Sequence, residues 1–365
     1  MLQIGVSCAT IARFAHSLPS CHANLGMTLR LISGYIGPMS SERQQDASLL
    51  GTLFAARNQQ VTRQELADQT GIPAQELDRR LTPYLQAGYP TEIHPQGTIC
   101  LREPPDVWCA EEILGRCPRS STGPAWNPLL LTETGSTNDV ARDQGRRGEP
   151  AGFVVAASRQ TAGRGRLGRA WESPPGRGLY VSILLRPDVP VSETSRLPIL
   201  ASVAAVDAAE EVTGTRPQIK WPNDLLMGGR KLGGLLIETE TAGPRLAFAV
   251  IGIGLNVRHA AGDFSPAVRE LATSLYLATG HLYRRADVLV ALLQALERRL
   301  ARPFDEVREA WTASSLTLGQ RVELNTGRGR KVGQAMGLDD SGALLLRSDS
   351  GEIETITAGD MQALR

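Results

Sequence analysis

Lysine is nearly missing from this chain: of 39 basic residues among 365, only Lys220, Lys231 and Lys331 are lysines. Arginine-favouring codon usage accounts for the bulk of this bias. It still marks the few positions where a compact ammonium stands instead of a planar guanidinium. Cysteine is scarce and unpaired in spacing. Cys8, Cys21, Cys100, Cys109 and Cys117 form no CxxC, which argues against a structural zinc site or a disulfide framework and fits a reducing, cytoplasmic setting. Net charge is also lacking. A formal +1 leaves no overall basic field for nucleic acid. No apolar run approaches the roughly 20 residues needed to span a bilayer, so no membrane association is expected. What remains is 42% hydrophobic and 21% charged residues, enough for two or three domains with real cores.

Residues 1–46 show no sustained periodicity and no charged-then-apolar leader, with Met27 and Met39 as later candidate starts. The segment reads as a disordered extension or an over-called start. From Asp46 the pattern changes: Leu49, Leu50, Leu53 and Phe54 share one helical face. Thr62-Arg63-Gln64-Glu65 has the form of a capping box, and Gly71 is placed to end the helix that follows. A third helix with Leu77, Leu81 and Leu85 begins near Pro73, and Pro83 should kink its far end. Two short extended runs then flank a turn at Pro95-Gln96-Gly97. This order predicts a winged helix-turn-helix over 47–104, although a small three-helix bundle shares much of it. A Pro-, Ser-, Gly- and Cys-bearing linker is expected over 105–128. Segments 153–157, 179–185, 232–238 and 246–256 then read as strands, with helices over 197–212 and 286–300. These define an α/β domain over 129–314. Short strands parted by glycine-rich turns suggest a small β-barrel over 315–365.

Four groups of residues carry candidate chemistry. The first is Gln160-Thr161-Ala162-Gly163-Arg164-Gly165-Arg166-Leu167-Gly168-Arg169-Ala170-Trp171, which follows a buried strand. Its glycines let backbone approach a ligand, and its arginines supply forked donors for carboxylate or phosphate. The loop lacks the endings of a P-loop and of a dinucleotide fold. A solvated Arg/Gly loop or an RNA-binding tract is the bland alternative. Gly327-Arg328-Gly329-Arg330-Lys331 repeats the letters where a hairpin turn is expected, so setting rather than spelling gives the first loop its weight. The second group joins Lys220-Trp221-Pro222-Asn223-Asp224 to Arg230-Lys231-Leu232-Gly233-Gly234. A strand, a turn and a second strand would bring Asp224 and Lys231 together at one sheet edge, though ordinary hairpin chemistry uses the same residue types. The third is Gly135-Ser136-Thr137-Asn138-Asp139, whose small polar side chains suit an amide-like or ureido group. Ser136 or Thr137 would equally serve as a helix N-cap. The fourth, Gly252-Ile253-Gly254-Leu255-Asn256, ends an apolar strand with glycines where a ligand could pass close to the backbone.

In this order the four groups resemble the biotin–protein ligases. With the N-terminal winged helix, they resemble the bifunctional form that also represses a biotin operon, across roughly residues 47–365. The resemblance implies an α+β protein: an N-terminal winged helix-turn-helix, a central class-II-synthetase-like α/β ligase domain and a C-terminal SH3-like barrel. It implies that biotin is activated by ATP to biotinyl-5′-AMP with Mg²⁺ assisting. A lysine of a biotin carboxyl carrier protein then takes the biotinyl group. By motif, biotin falls to Ser136, Thr137, Asn138, Gln160, Arg164, Gly165, Arg166, Lys231 and Gly234. Arg164, Arg166, Arg169, Lys231 and Asn256 fall to ATP and the adenylate. Lys231, Arg166 and Asp224 are the implied catalytic residues, Asp224 also being the candidate Mg²⁺ ligand. A homodimer formed on adenylate binding and an operator DNA read by Arg63, Gln75, Arg79 and Arg80 are further implications.

Two departures from the family pattern stand out. Leu167 replaces a residue that is often basic. Residues 41–117 hold seven Arg, no Lys and eleven Asp or Glu, a net −4 where DNA-binding modules usually carry a basic face. Rival readings are a lipoate or octanoate ligase, a ligase whose winged helix no longer binds DNA, and a small-molecule sensor with a dead catalytic domain. The glycine-triplet motif expected of the first does not occur. The retained Lys231 and loop arginines argue against the last.

Overall fold

The computed structural model describes residues 40–94, 97–118, 123–327 and 329–364. Residues 1–39, including the segment read as an extension, lie outside the described part, as do Cys8 and Cys21.

The N-terminal unit runs α1 (Ser41–Ala55), β1 (Val61–Thr62), α2 (Arg63–Thr70), a 3-10 turn (Ala74–Glu76), α3 (Leu77–Gln86), β2 (Thr91–Ile93) and β3 (Thr98–Leu101). Its three strands form an antiparallel sheet in the order β1-β3-β2. The Thr62–Glu65 capping box forms in both directions, and Gly71 ends α2 in the left-handed conformation at φ 67°. The turn at Pro95 and Gln96 lies outside the described residues, but the strands on either side pair as expected.

Three expectations are corrected here. Helix α1 starts at Ser41, not near Asp46. The Ser40 hydroxyl caps it by accepting from Arg43 N–H at 3.2 Å, and its polar first turn shows no apolar period. Pro83 does not interrupt α3, which continues to Gln86; near a helix end the missing N–H removes a single bond. Finally, the presumed linker contains α4 (Ala110–Arg116), too short for periodicity to reveal. α4 crosses α1 where a Cβ on Gly115 would lie 1.9 Å from Ala47 O. Its Glu112 is fully buried and accepts from Arg284 Nη1 and Nη2 at 3.0 and 2.9 Å, and from Tyr89 Oη at 2.5 Å. The N-terminal unit is therefore tied to the rest of the chain through a buried ion pair.

The central domain comprises β4 (Asn127–Thr134), α5 (Thr137–Arg146), β5 (Phe153–Gln160), β6 (Gly178–Leu185), α6 (Arg196–Thr213), β7 (Gln218–Lys220), β8 (Asp224–Met227), β9 (Arg230–Ala242), β10 (Arg245–Asn256), α7 (Leu275–Thr279), α8 (Arg285–Leu300) and α9 (Phe304–Ser314). Its seven strands form one sheet, β4-β5-β6-β10-β9-β8-β7, in which only the β4–β5 pair is parallel. One face, with Val154, Val181, Ile183 and Ile251, packs on the alanine-rich α6 and on α8. The opposite face buries Phe153, Val155, Leu184 and Val250 with Ala141 of α5. The α6 and α8 side is a closed core. The α5 side is covered only at one end, so the rest of that face can form a floor.

That floor follows from strand alternation. Ser182 on β6 pairs with Gly252 on β10, which pairs with Leu236 on β9; one step along, Tyr180 pairs with Gly254, which pairs with Gly234. The C-terminal unit is a five-stranded antiparallel sheet, β14-β13-β12-β11-β15, built from β11 (Arg321–Thr326), β12 (Gly329–Leu338), β13 (Leu344–Arg347), β14 (Ile353–Ile356) and β15 (Asp360–Leu364). The second Arg/Gly run lies at the β11–β12 hairpin as expected, where Arg330 pairs with Glu323; Arg328 is outside the described residues. No helix among the described residues is long and apolar enough to cross a membrane.

Candidate active site

Ser136, Thr137, Asn138, Gln160, Arg164, Gly165, Arg166, Arg169, Asp224, Lys231, Gly234 and Asn256 all line one cleft of about 400 Å³ on this glycine floor. The four sequence groups therefore converge, although as many as 120 positions separate them along the chain.

The glycines at 252 and 254 admit the protein's own side chains. A Cβ on Gly252 would sit 2.2 Å from Asn138 Oδ1, and one on Gly254 would sit 2.5 Å from Trp171 Cε2. On the Cβ side of these two glycines the close approach is made by Asn138 and Trp171. Ser136 holds the N-cap position of α5 as expected, but its side chain forms no cap bond. Instead the Thr137 N–H donates to Gln160 Oε1 at 2.9 Å, and Gln160 Nε2 donates to Ser173 Oγ at 3.1 Å.

The arginine loop is anchored by its own guanidinium groups, unlike the solvated Arg/Gly loop of the bland alternative. Arg164 grips both oxygens of Asp139 at 2.7 Å. This pairing is the main reason the Asp139 carboxyl titrates below its ordinary range. Arg166 donates to Asn223 Oδ1 at 3.2 Å and to Gly359 O at 2.9 Å, which links the cleft to the C-terminal unit. Burial lowers the Arg166 pKa from its usual value. Arg169 pairs with Asp360 of β15. Leu167 stands at the loop tip, 72% exposed and with φ 56°.

Lys231 is held from both sides. Its backbone N–H donates to Leu271 O at 2.7 Å and its carbonyl accepts from Thr273 N–H at 2.8 Å. Its Nζ lies 2.7 Å from Asp224 Oδ1 and 5.5 Å from the Trp171 ring centroid. The Asp224–Lys231 juxtaposition read from the second group is thus present, on the inner strands β8 and β9 with β7 forming the edge. Asn256 is buried and donates from Nδ2 to Thr273 O at 2.9 Å.

Sequence reasoning missed Ser182, Glu238, His259 and Asp360. Ser182 gave a faint signal as the one small polar side chain inside an apolar strand, Gly178–Leu185. Glu238 and Asp360 gave none. His259 is 1% exposed, stacks on Phe264 with ring centroids 4.9 Å apart, and has its pKa pushed down to about 4 by burial.

The candidate DNA-reading residues fare unevenly. Gln75 is exposed. Arg63 is paired with Asp78 at 2.8 Å and Arg79 with Glu76 at 2.9 Å. Arg80 is turned inward, 7% exposed and bonded to Asp46 Oδ1 and Glu42 O at 2.5 Å each. A guanidinium so enclosed cannot reach a phosphate, so Arg80 leaves the list.

Comparison with known proteins decides the family. Residues 132–256 match the biotin/lipoate A/B protein ligase family, and residues 317–363 match the biotin protein ligase C-terminal domain. The bifunctional ligase/repressor BirA of Bacillus subtilis strain 168 is 32% identical over 320 residues, covering 86% of this chain and 97% of that protein. This chain belongs to the biotin protein ligase family. The biotin–[acetyl-CoA-carboxylase] ligase of Paracoccus denitrificans is 35% identical over 230 residues, covering 61% of this chain and 95% of that protein. Among solved structures, the biotin protein ligase from Aquifex aeolicus in complex with biotin and ATP matches with a TM-score of 0.55 and 32% identity. That match covers 65% of this chain and 98% of the other. The chain is a biotin protein ligase with biotin and ATP as substrates, and the lipoate alternative finds no support among these relatives.

Proposed function

We propose that the cleft activates biotin with ATP and then passes it to a lysine of a biotin carboxyl carrier protein, the acceptor in acetyl-CoA carboxylase. In the first step a biotin carboxylate oxygen attacks the α-phosphorus of ATP. The bond from that phosphorus to the bridging oxygen breaks, and pyrophosphate leaves. In the second, the neutral lysine amine attacks the mixed-anhydride carbonyl, the bond to AMP breaks, and the amine loses a proton. Both steps build negative charge on oxygen, and fixed cationic donors in a partly dewatered cleft stabilise such charge.

The observation that carries this reading is the placement of Lys231, Arg164 and Arg166 together with Ser136, Thr137 and Gln160 around one cleft. Lys231 and Arg166 serve the carboxylate–phosphate junction. Gly165 and Gly234 leave room for biotin, Ser136, Thr137 and Gln160 take its ureido ring, and Arg169 and Asn256 serve the nucleotide. Among the described residues no group of three or more His, Cys, Asp or Glu could hold a metal alone. Mg²⁺ usually arrives on nucleotide phosphates with one or two protein carboxylates. Asp224 fits that use, because Lys231 occupies only one of its oxygens. When bound, the ion neutralises phosphate charge. Biotin-dependent exchange of pyrophosphate into ATP tests the first step: exchange without biotin, or none with it, rejects the reading.

The helix and sheet order of the N-terminal unit supports a winged helix-turn-helix, placed at 47–104 with α1 extending it to Ser41. The C-terminal unit is read as an SH3-like barrel over 315–365, and the central domain as class-II-synthetase-like over 129–314. The match to the Bacillus protein named as a repressor spans 97% of that protein, which favours a second role at operator DNA. With Arg80 buried and Arg63 and Arg79 paired to carboxylates, that binding is weak, salt-sensitive and dependent on an adenylate-bound homodimer in the cytoplasm. A band-shift titration against DNA upstream of biotin genes, with and without biotinyl-AMP, tests it. Tight salt-resistant binding by the free chain contradicts it, and so does an absence of binding with the adenylate.

A further inference from the structure

We infer that Ser182, fully buried in the middle of β6, fixes Thr137 as a hydrogen-bond acceptor toward the cleft and so sets which ring atoms a ligand can present there. This rests on the reading above that the Thr137 end of the cleft takes the ureido ring.

The argument is a count of protons. Asn138 spans three strands. Its Nδ2 faces Leu236 O at 3.3 Å and Glu238 Oε2 at 2.7 Å, and both of these can only accept. The amide nitrogen must therefore point that way, which turns Oδ1 toward Ser182 Oγ, 2.6 Å distant. An amide oxygen cannot donate, so the single Ser182 proton goes to Asn138. Ser182 Oγ also lies 2.8 Å from Thr137 Oγ1. With its proton already given, Ser182 can only accept there, and Thr137 must donate to it.

The other neighbour of Thr137 closes the alternative. The Ser173 hydroxyl lies 3.1 Å from Trp171 O, to which it donates, so it accepts from Gln160 Nε2. That turns Gln160 Oε1 toward Thr137, where it takes the backbone N–H at 2.9 Å and stands 3.1 Å from Oγ1 as a second, more distant acceptor for the hydroxyl proton. The Thr137 proton thus stays on the protein side, directed at Ser182. Only lone pairs of Thr137 Oγ1 remain for the cleft, and they suit a ring N–H. Sequence reading could not reach this, because the polarity passes from Glu238 through Asn138 and Ser182 across three strands. Ser182 is a positioning residue; it acts through Thr137.

The test compares biotin with its two analogues in which one or the other ring N–H is replaced by oxygen, measured by ligand-dependent pyrophosphate release. The native chain should reject at least one analogue by about 100-fold or more in kcat/KM, since lone pairs would face lone pairs. In Ser182→Ala the Thr137 proton keeps only the more distant Gln160 Oε1, already engaged by the backbone N–H, and can turn toward the ring oxygen. That discrimination should then shrink to about 10-fold or less, with KM for biotin rising more than kcat falls. Ser182→Cys keeps the shape with a weaker donor and should fall between, and it decides the matter if the alanine variant does not fold. A merely structural role would slow biotin and analogue alike, so an unchanged ratio in the folded variants overturns the inference while leaving the ligase reading intact. A native chain that shows no biotin-dependent release overturns both.

Discussion

Lys231 Nζ lies 2.7 Å from Asp224 Oδ1 across the β8–β9 pair, beside a register shift between Leu225 and Leu226. The bulge and the two backbone bonds with Leu271 and Thr273 aim a compact ammonium at the cleft from the start of β9. In a chain that writes arginine nearly everywhere, this position keeps lysine. A guanidinium is wider and spreads its charge over a plane.

Lys231→Arg should therefore preserve the fold and lose the chemistry. Pyrophosphate release is expected to fall by about 100-fold or more, the scale of losing one fixed transition-state donor. The melting temperature should stay close to that of the native chain. Near-native release would show that positive charge alone suffices at this point.

Gly252→Ala tests the floor. The new Cβ would meet Asn138 Oδ1 at 2.2 Å, and Asn138 is locked between β6 and β9, so it cannot yield cheaply. Overpacking of this kind costs about 1–3 kcal/mol. Displacement of Asn138 should raise KM for biotin more than KM for ATP. Equal effects on both substrates would mean that Asn138 does not order the biotin end.

These two predictions differ in how far the sequence reached. Alternation, caps and turns are local, so β5, β6, β9 and β10 of the central sheet, the α2 capping box and the Gly71 stop were legible. The convergence of four residue groups on one cleft was legible only because glycine, arginine and lysine stood in unusual company. Partners that act across the fold were hidden. Asp360 meets Arg169 from another domain, Glu238 meets Asn138 from a strand a hundred positions away, and Glu112 hides in a seven-residue helix whose sequence looks like linker. No periodicity marks such contacts, because each depends on long-range packing.

Glu112→Ala removes the fully buried partner of Arg284, itself 6% exposed. Breaking a buried ion pair typically costs about 3–5 kcal/mol, and because Arg284 keeps Asp287 Oδ1 at 3.0 Å the loss should fall toward the lower end of that range. Thermal melting should show that loss, and Glu112→Gln should lose less by keeping an acceptor. A variant that melts like the native chain would mean that the ion pair does not hold the N-terminal unit in place.

His259 gives the fold an acid-sensitive point. Burial lowers its pKa to about 4, with Asp263 and Glu172 opposing the shift and Arg177 adding to it. Between that value and the ordinary histidine pKa of about 6.5, the unfolded chain binds a proton that the folded chain refuses. Stability from neutral His259 is therefore complete above this window and declines as pH falls through it. His259→Phe should flatten the melting-temperature profile between pH 4 and 6.5 relative to the native chain. Parallel profiles would place the acid sensitivity elsewhere.

The central claim is that this cleft moves biotin onto a carrier lysine at the expense of ATP. Incubation of the chain with biotin, ATP, Mg²⁺ and a biotin carboxyl carrier domain, followed by intact-mass analysis of that domain, tests it most directly. The account predicts a gain of one biotinyl group on a single lysine, dependent on ATP and abolished in Lys231→Arg. An unmodified carrier would contradict it, as would transfer of lipoate and not biotin under matched conditions.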